Sequence, residues 1–141
     1  SVCADNFQGI VMSNHVIHTD KAPAAIGPYS QAISVTLTST SKVVYCSGQI
    51  GLDPATGNLR DGFDAQVDQA LANMQAVLTA AGATTNNVVK LTLFLTDLGN
   101  FAAANAKMEA LFQKPYPARS TVGVASLPKG AQFEIEAIAA I

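Results

Sequence analysis

Residues 117–139, PARSTVGVASLPKGAQFEIEAIA, form the most hydrophobic segment of the chain, yet they include an arginine and two glutamates. Arg119 has only small and apolar neighbours, and arginine is rarely buried unless its charge is paired. One interpretation is an ion pair with a glutamate of the same segment, Glu134 or Glu136. The other is a planar guanidinium that holds the carboxylate of a ligand through two hydrogen bonds. The sequence leaves both interpretations open.

Glu134 and Glu136 lie two residues apart in a strand-like run, so their side chains share one face. Phe133 and Ile135 take the opposite face. Two carboxylates on one face of a terminal strand are typical of a solvated surface. If that face lines a cleft instead, one carboxylate can hold or activate a water molecule.

Outward from this segment, the periodicity predicts an α+β arrangement of strands and two amphipathic helices. The helices are expected over Phe63–Ala81 and Asn100–Phe112, with Asp61 or Asp64 capping the first and Gly82 ending it. Segments rich in β-branched and aromatic residues predict six strands. They are Val16–Thr19, Ser30–Leu37, Val43–Ile50, Val88–Leu95, Arg119–Ala125 and Phe133–Ile141. Because each helix has one apolar stripe, the helices cover one side of the sheet, and the other side is expected to meet a partner subunit.

The composition limits what the protein can bind. Charged residues make up 13% of the chain, against about 25% in ordinary domains. So few charges predict that copies of the chain associate, although an alanine-rich monomer has a similar composition. The net charge of −2 and the absence of a Lys/Arg cluster argue against nucleic-acid binding. No apolar run reaches the roughly 18 residues of a membrane helix.

Cysteine and histidine usage predicts no metal and no cofactor. Cys3 and Cys46 make neither a disulfide framework nor a metal pattern, and His15 and His18 have no further ligand near them. A reducing compartment is therefore expected, either the cytoplasm or, after removal of a targeting sequence, the mitochondrion.

The first residues of the chain differ in character from the rest. Residues 1–14 are predicted to be an N-terminal extension, either non-native or disordered, with Met12 as a candidate natural start. Residues 15–141 are expected to form one domain, because a chain of this length can bury a sufficient core.

Several other positions are candidates for a cavity wall or for structural roles. Tyr29 follows a Gly-Pro turn and is either a packing residue or a pocket wall. Ser47 and Gly48 interrupt a strand, which indicates a bulge or a close approach by a ligand or a second subunit. Asn105 falls on the apolar stripe of the second helix, where a buried amide must find hydrogen-bond partners.

Four segments, taken together, resemble the RidA family, whose members are also labelled YjgF or endoribonuclease L-PSP. The segments are APAAIGPYSQA, VYCSGQIGLDPATG, VVKLTLFLTDLGNFAAANAKMEALF and PARSTVGVASLPKGAQFEIEAIA. The last is the most specific. The resemblance implies a chorismate-mutase-like α+β domain with a mixed sheet, two helices on one face, and a homotrimer with clefts between subunits.

The resemblance also implies an activity that needs no cofactor. RidA proteins hydrolyse reactive 2-imino acids, such as 2-iminobutyrate and the tautomer of 2-aminoacrylate, to 2-keto acids and ammonia. Arg119 matches the family arginine that holds the substrate carboxylate. Glu134 matches the glutamate that positions the attacking water.

Further site residues are carried over from the same motifs. Tyr29, Ser47 and Gly48 match residues that line the family's cleft, and Asn105 matches a helix asparagine near it. Thr121 stands where many members have cysteine. Its backbone N–H can still contact a carboxylate, but any role that needs a thiol is excluded.

Two other functions remain open at this point. An endoribonuclease or translation inhibitor is suggested by the older family label, although the acidic pI and the lack of a basic stripe argue against it. A non-catalytic module that binds small carboxylates would need Arg119 but not Glu134.

Overall fold

The computed structural model describes residues 13–141, so most of the predicted N-terminal extension lies outside the described residues. Asn14, the last residue assigned to that extension, already belongs to the first strand. Every predicted helix and strand is present, with ends that differ by at most two residues. The elements are β1 (Asn14–Ile17), β2 (Ala32–Thr36), β3 (Lys42–Ile50), α1 (Phe63–Ala80), β4 (Val88–Leu95), α2 (Phe101–Leu111), β5 (Ala118–Gly123) and β6 (Phe133–Ala140).

The strands form one mixed sheet in the order β1-β2-β3-β6-β4-β5. The last strand in sequence, β6, lies between β3 and β4 and pairs with both in antiparallel fashion. β5 pairs with β4 in parallel and occupies an edge. A parallel pair needs a crossover, and α2 supplies it. The most hydrophobic segment of the sequence therefore provides both an edge strand and a central strand.

The core lies on one face of the sheet, where both helices pack. Alternate residues of the central strands point into it, as the period of two in a strand requires. These buried side chains include Leu91, Leu93, Leu95, Phe133, Ile135, Ala137 and Ala139 from the strands, and Val67, Met74, Leu78, Ala104 and Met108 from the helices. The prediction of two helices on one face of a mixed sheet is confirmed.

The opposite face of the sheet is not covered by any described residue. It carries a broad set of apolar side chains, including Ile33, Val35, Val43, Tyr45, Phe94, Val122 and Ile138. Tyr45, on the interior strand β3, is 52% exposed, and Val122, on the edge strand β5, is 40% exposed. Such exposure is unusual for a large apolar side chain on an interior strand. We refer to this surface as the open face.

The start of α1 differs from the prediction. Gly62 is the N-cap, with φ at 87°, and no side chain caps the helix, so the expected capping by Asp61 or Asp64 is wrong. The left-handed backbone at Gly62 directs the chain into the helix. Asp64 lies in the first turn, where its negative charge interacts favourably with the positive end of the helix dipole. Gly82 ends the helix with φ at 82°, as predicted.

Candidate active site

Except for Thr121, the site residues predicted from the sequence fall into two cavities of one chain. The larger, about 620 Å³, is lined by Tyr29, Ser47, Gly48 and Glu134, together with Glu136, Asp53 and Lys129 among others. The smaller, about 420 Å³, is lined by Arg119 and Asn105, together with Leu91, Met108, Glu109, Phe112, Tyr116 and Pro117. We call them the glutamate cavity and the arginine cavity.

The sheet itself separates the two charged groups. Arg119 lies beside Leu91 in the β4–β5 pair, and Leu91 points into the helix-covered core. Glu134 lies beside Phe94, three residues further along β4, so it points to the other face. Within one chain, Arg119 therefore projects from the helix side of an edge strand, whereas Glu134 projects from the open face.

Arg119 is held by the second helix and not by a carboxylate. Its Nη2 donates a hydrogen bond to Oδ1 of Asn105 at 2.6 Å. Its guanidinium carbon lies 5.7 Å from the centre of the Phe101 ring, a cation–π distance. Among the residues that the structure describes, no carboxylate forms an ion pair with Arg119, so of the two interpretations left open by the sequence, the ion pair with Glu134 or Glu136 does not occur within the described chain.

Phe101 and Asn105 lie four residues apart on α2, so both reach the same side chain. Asn105 is half-buried and its amide oxygen faces the guanidinium. The asparagine on the apolar stripe thus has its hydrogen-bond partner in Arg119. The remaining N–H groups of the guanidinium stay available for an anion.

Glu134 lies against the backbone of β3 at a bulge. The register of β3 and β6 shifts between Cys46 and Gln49, and Gly48 falls in this bulge. A β-carbon at Gly48 would overlap the carboxylate of Glu134. The glycine inside the strand is therefore explained by the close approach of this carboxylate.

The environment of Glu134 changes its acidity. Partial burial raises the pKa of Glu134, and the nearby charge of Glu136 raises it further. Both effects disfavour the ionised form. The Glu134 carboxylate is consequently a stronger base than an ordinary surface glutamate.

Ser47 and Tyr29 form another wall of the glutamate cavity. The hydroxyl of Ser47 donates to the backbone oxygen of Ser30 at 2.6 Å, which ties β3 to the segment that carries Tyr29. The Tyr29 side chain is 53% exposed, and its hydroxyl accepts a bond of 3.4 Å from the backbone N–H of Ile26. The hydroxyl of Tyr29 can still donate a hydrogen bond into the cavity.

Thr121 lines neither cavity. It lies beside Leu93 and therefore shares the helix side of β5 with Arg119. Its hydroxyl oxygen is buried and has no hydrogen-bond partner among the described residues. The methyl-bearing side chain thus fills space behind the strand, whereas its backbone stays on the sheet edge next to Arg119.

Two residues that contact a predicted site residue or line a cavity with one, Phe101 and Lys129, were not predicted from the sequence to be functional. Phe101 could have been found, because its four-residue spacing to Asn105 places it on the same helix face. Lys129 lines the glutamate cavity and has a left-handed backbone, with φ at 58°, in the turn before β6. Nothing in the local pattern around Lys129 indicates that conformation.

No cluster of metal-binding side chains was found among residues 13–141. Over the same residues, no helix is long and apolar enough to cross a membrane. The Cys46 thiol is buried, and burial raises its pKa to about 11, so it is protonated at neutral pH.

The fold and the cavities define a class of small α+β proteins with a mixed sheet, an arginine free to bind an anion, and a basic carboxylate beside a strand bulge. The family model for endoribonuclease L-PSP matches residues 19–141. The chain therefore belongs to this family, which is the RidA family, and the resemblance found in the sequence is confirmed.

Individual members of the family are similar over nearly their whole length. A 2-iminobutanoate/2-iminopropanoate deaminase of Capra hircus is 50% identical over 125 residues, which cover 88% of each chain. The crystal structure of RidA from Psychrobacter sp. PAMC 21119 has 50% sequence identity and a TM-score of 0.82, and the match covers 90% of this chain and 99% of that one. E. coli TdcF with bound serine has 41% identity and a TM-score of 0.79, with 89% and 97% covered.

Proposed function

We propose that the protein hydrolyses 2-imino acids such as 2-iminobutanoate and 2-iminopropanoate to 2-keto acids and ammonia, in clefts between subunits of a homotrimer. The observation that carries this proposal is that Arg119 pairs with no carboxylate among residues 13–141, combined with the basic glutamate of the other cavity. Relatives about 50% identical are named as deaminases for these substrates. A related structure holds serine, another small amino acid with a carboxylate.

The position of the two charged groups supports an assembly with shared clefts. Because Arg119 and Glu134 project from opposite faces of one sheet, they meet in one site only if two copies contribute. The open face supplies an apolar surface for such packing. In a closed ring of three subunits, each copy gives its Arg119 to one neighbour and its Glu134 to the other.

Arg119 binds the substrate carboxylate. The Nη2 group of Arg119 donates one hydrogen bond to Asn105, and Phe101 packs against the guanidinium. The planar guanidinium is therefore oriented before the substrate binds. A bidentate guanidinium–carboxylate pair fixes both the position and the plane of the substrate. Held in this way, the C=N carbon can be presented to a water molecule, and such positioning contributes up to roughly 7–11 kcal/mol to the rate.

Glu134 activates the water. Its raised pKa brings the carboxylate closer to the working pH, where a general base is most effective. The carboxylate takes a proton as the water oxygen bonds to the imine carbon. Glu134 passes that proton to the imine nitrogen, which gives a carbinolamine. The hydroxyl proton of the carbinolamine then passes to the nitrogen by way of Glu134 as the C=O bond forms and the C–N bond breaks, so ammonia leaves and the carboxylate is regenerated. Water and imine are thereby converted to ketone and ammonia, and no covalent bond to the protein is required.

The remaining wall residues hold this arrangement in place. Gly48 leaves room for the Glu134 carboxylate, and Ser47 fixes the segment that carries Tyr29. The hydroxyl of Tyr29 can donate a hydrogen bond to the bound substrate. The backbone of Thr121 offers an N–H next to Arg119.

A coupled assay tests the proposed activity. Threonine dehydratase would generate the imine from threonine, and release of 2-ketobutyrate would be timed with and without the protein. We expect faster release that persists in EDTA, since no metal is needed. Glu134→Gln should abolish the acceleration while Glu136→Gln leaves most of it. An unchanged release rate with the wild-type protein would refute the proposal, and a greater loss with Glu136→Gln would move the base two residues along β6.

The endoribonuclease alternative predicts RNA binding, which the deaminase function does not require. Phosphate-backbone binding depends on Lys and Arg and weakens steeply with salt. With 8 Lys and Arg against 10 Asp and Glu in the whole chain, we expect no salt-dependent RNA binding. RNA cleavage that is lost in Arg119→Ala and Glu134→Gln would favour the older label for this chain.

A further inference from the structure

A buried glutamine holds the segment that carries Tyr29. Gln31 is only 3% exposed, although glutamine is usually at the surface. Its Oε1 accepts a hydrogen bond of 2.8 Å from the backbone N–H of Thr19. Its Nε2 donates to the backbone oxygens of Thr19 at 3.0 Å and Pro23 at 2.8 Å. One side chain therefore closes the loop of residues 19–31 on itself.

This loop forms much of one wall of the glutamate cavity. Pro23, Ala24, Ile26 and Tyr29 all line the cavity. Ile26 is 76% exposed and Tyr29 is 53% exposed, so packing against the core does little to fix the tip of the loop. Ala22 is the one residue between 19 and 30 that is fully buried. The polar attachment at Gln31 is thus a large part of what orients the tip.

The second attachment of the loop is at its other end. The Ser47 hydroxyl and N–H donate to the backbone oxygens of Ser30 and Gln31. These two bonds hold the last residues of the loop to β3 but do not reach its first half. The amide of Gln31 alone connects the first half, at Thr19 and Pro23, to the start of β2.

The glutamine also lines the cavity, so a direct contact with the ligand has to be considered. Its amide oxygen and both of its N–H groups have backbone partners within hydrogen-bond distance. A buried amide that exchanges such partners for a ligand would leave backbone groups unsatisfied. The side chain therefore acts on the loop and not on the substrate.

We propose that Gln31 is a positioning residue for the reaction, and that it acts by keeping Tyr29 and its loop in the binding conformation. The proposal rests on the deaminase function above. Because we expect the loop to contact the substrate and not the attacking water, its contribution should be the same for substrate and transition state. Loss of such uniform binding raises KM and leaves kcat unchanged.

Two substitutions test the proposal. Gln31→Met has a similar length and removes every hydrogen bond, whereas Gln31→Glu keeps the acceptor for Thr19 and loses the donors. If the competent loop falls to about a tenth of the population, KM rises about tenfold. We expect this increase in Gln31→Met, a kcat within about twofold of wild type, and an unchanged pH profile of kcat. Gln113→Glu makes the same chemical change as Gln31→Glu at an exposed position, so it is the matched control and should leave KM and kcat unchanged.

A protease measurement reports on the loop independently of activity. Lys21 is exposed within the loop, so trypsin cleavage after it measures how often the loop opens. We expect cleavage after Lys21 to be at least about tenfold faster in Gln31→Met, with cleavage after Lys90 in the central strand unchanged. Asn73→Asp changes an equally buried amide that bonds Ile50 and Leu52 instead, and it should not accelerate cleavage after Lys21.

The two readouts separate the possible failures. Faster cleavage after Lys21 with no deaminase activity in the wild type would support the loop attachment and refute the proposed function alone. Unchanged cleavage after Lys21 in both Gln31 variants would overturn the inference. A fall in kcat with KM unchanged would overturn it as well, because it would place Gln31 among the groups that act in the transition state. If Gln31→Met does not fold, the same criteria apply to Gln31→Glu.

Discussion

Subunit complementation is the sharpest consequence of a site divided by the sheet. In the proposed trimer, Arg119→Ala should inactivate every cleft by removing the carboxylate anchor, and Glu134→Gln should inactivate every cleft by removing the base. Since the two groups project from opposite faces of one chain, a cleft of the proposed trimer would take its arginine and its glutamate from different copies. A mixed trimer can therefore contain one cleft in which both groups are intact.

The size of the effect follows from the geometry of the ring. Removing one partner of a buried charge pair costs about 2–5 kcal/mol. At about 1.4 kcal/mol per factor of ten, Arg119→Ala should lose about thirtyfold or more in kcat/KM. Glu134→Gln, which removes a general base, should lose at least as much. A trimer with two copies of one variant and one of the other has one intact cleft of the three, whichever variant is in excess. It should show about a third of wild-type activity, roughly ten times that of either parent.

The assay needs trimers that contain both variants. The two chains would be expressed together with different affinity tags and purified over both resins in turn. Activity would then be measured with the coupled 2-ketobutyrate assay. A mixture of the parents, purified separately and combined without exchange of subunits, is the matched control and should stay at the level of the parents.

One result would refute the reasoning. If doubly purified trimers of Arg119→Ala and Glu134→Gln have no more activity than their parents, while the wild type with the same tags is active, the two groups act within one chain. A stable 14.6 kDa monomer of the wild type in sedimentation at micromolar concentration would refute the shared cleft directly.

Other expectations follow from single side chains. Burial raises the pKa of Glu134, so the stabilisation linked to its proton is present below the unfolded pKa and is lost as pH rises through the higher folded pKa. Glu134→Gln should therefore raise the Tm relative to wild type at pH 7, with a smaller difference near pH 4; equal differences at both would contradict the raised pKa. Gly48→Ala should lower kcat/KM by about tenfold or more because its β-carbon displaces the Glu134 carboxylate, whereas Gly82→Ala, strained at φ 82°, should lower Tm and leave activity alone. In a Cys3→Ser background, the buried Cys46 thiol should react with a disulfide reagent at pH 8 far more slowly in the folded protein than in urea; equal rates would contradict its raised pKa of about 11.

Local patterns in the sequence were sufficient for the elements of the fold. The four-residue spacing in α1 and the alternation in β6 are periodic signals that depend only on neighbouring residues. The same alternation put Glu134 and Glu136 together on one face. The need to cover a second face of the sheet was also readable, because apolar residues occupy both alternations while each helix has only one stripe.

The motifs selected residues that line the two cavities but did not give their arrangement. Arg119, Glu134, Tyr29, Ser47, Gly48 and Asn105 all line one of the two cavities. Thr121 does not, because its side chain turns behind the edge strand. The reason for Gly48 was also hidden, since the carboxylate that excludes a β-carbon comes from a residue more than eighty positions later in the chain.

Only the tertiary structure decided which charged groups can meet. The sequence left an ion pair between Arg119 and Glu134 open, because both lie in one short hydrophobic segment. The sheet puts β6 at its centre, antiparallel to β4, and β5 at its edge, parallel to β4. That pairing fixes each side chain to a face, and a strand's neighbours are chosen by contacts between residues far apart in sequence. The short segment determined which residues carry the charge, and the order of the strands placed those charges on opposite sides of the sheet.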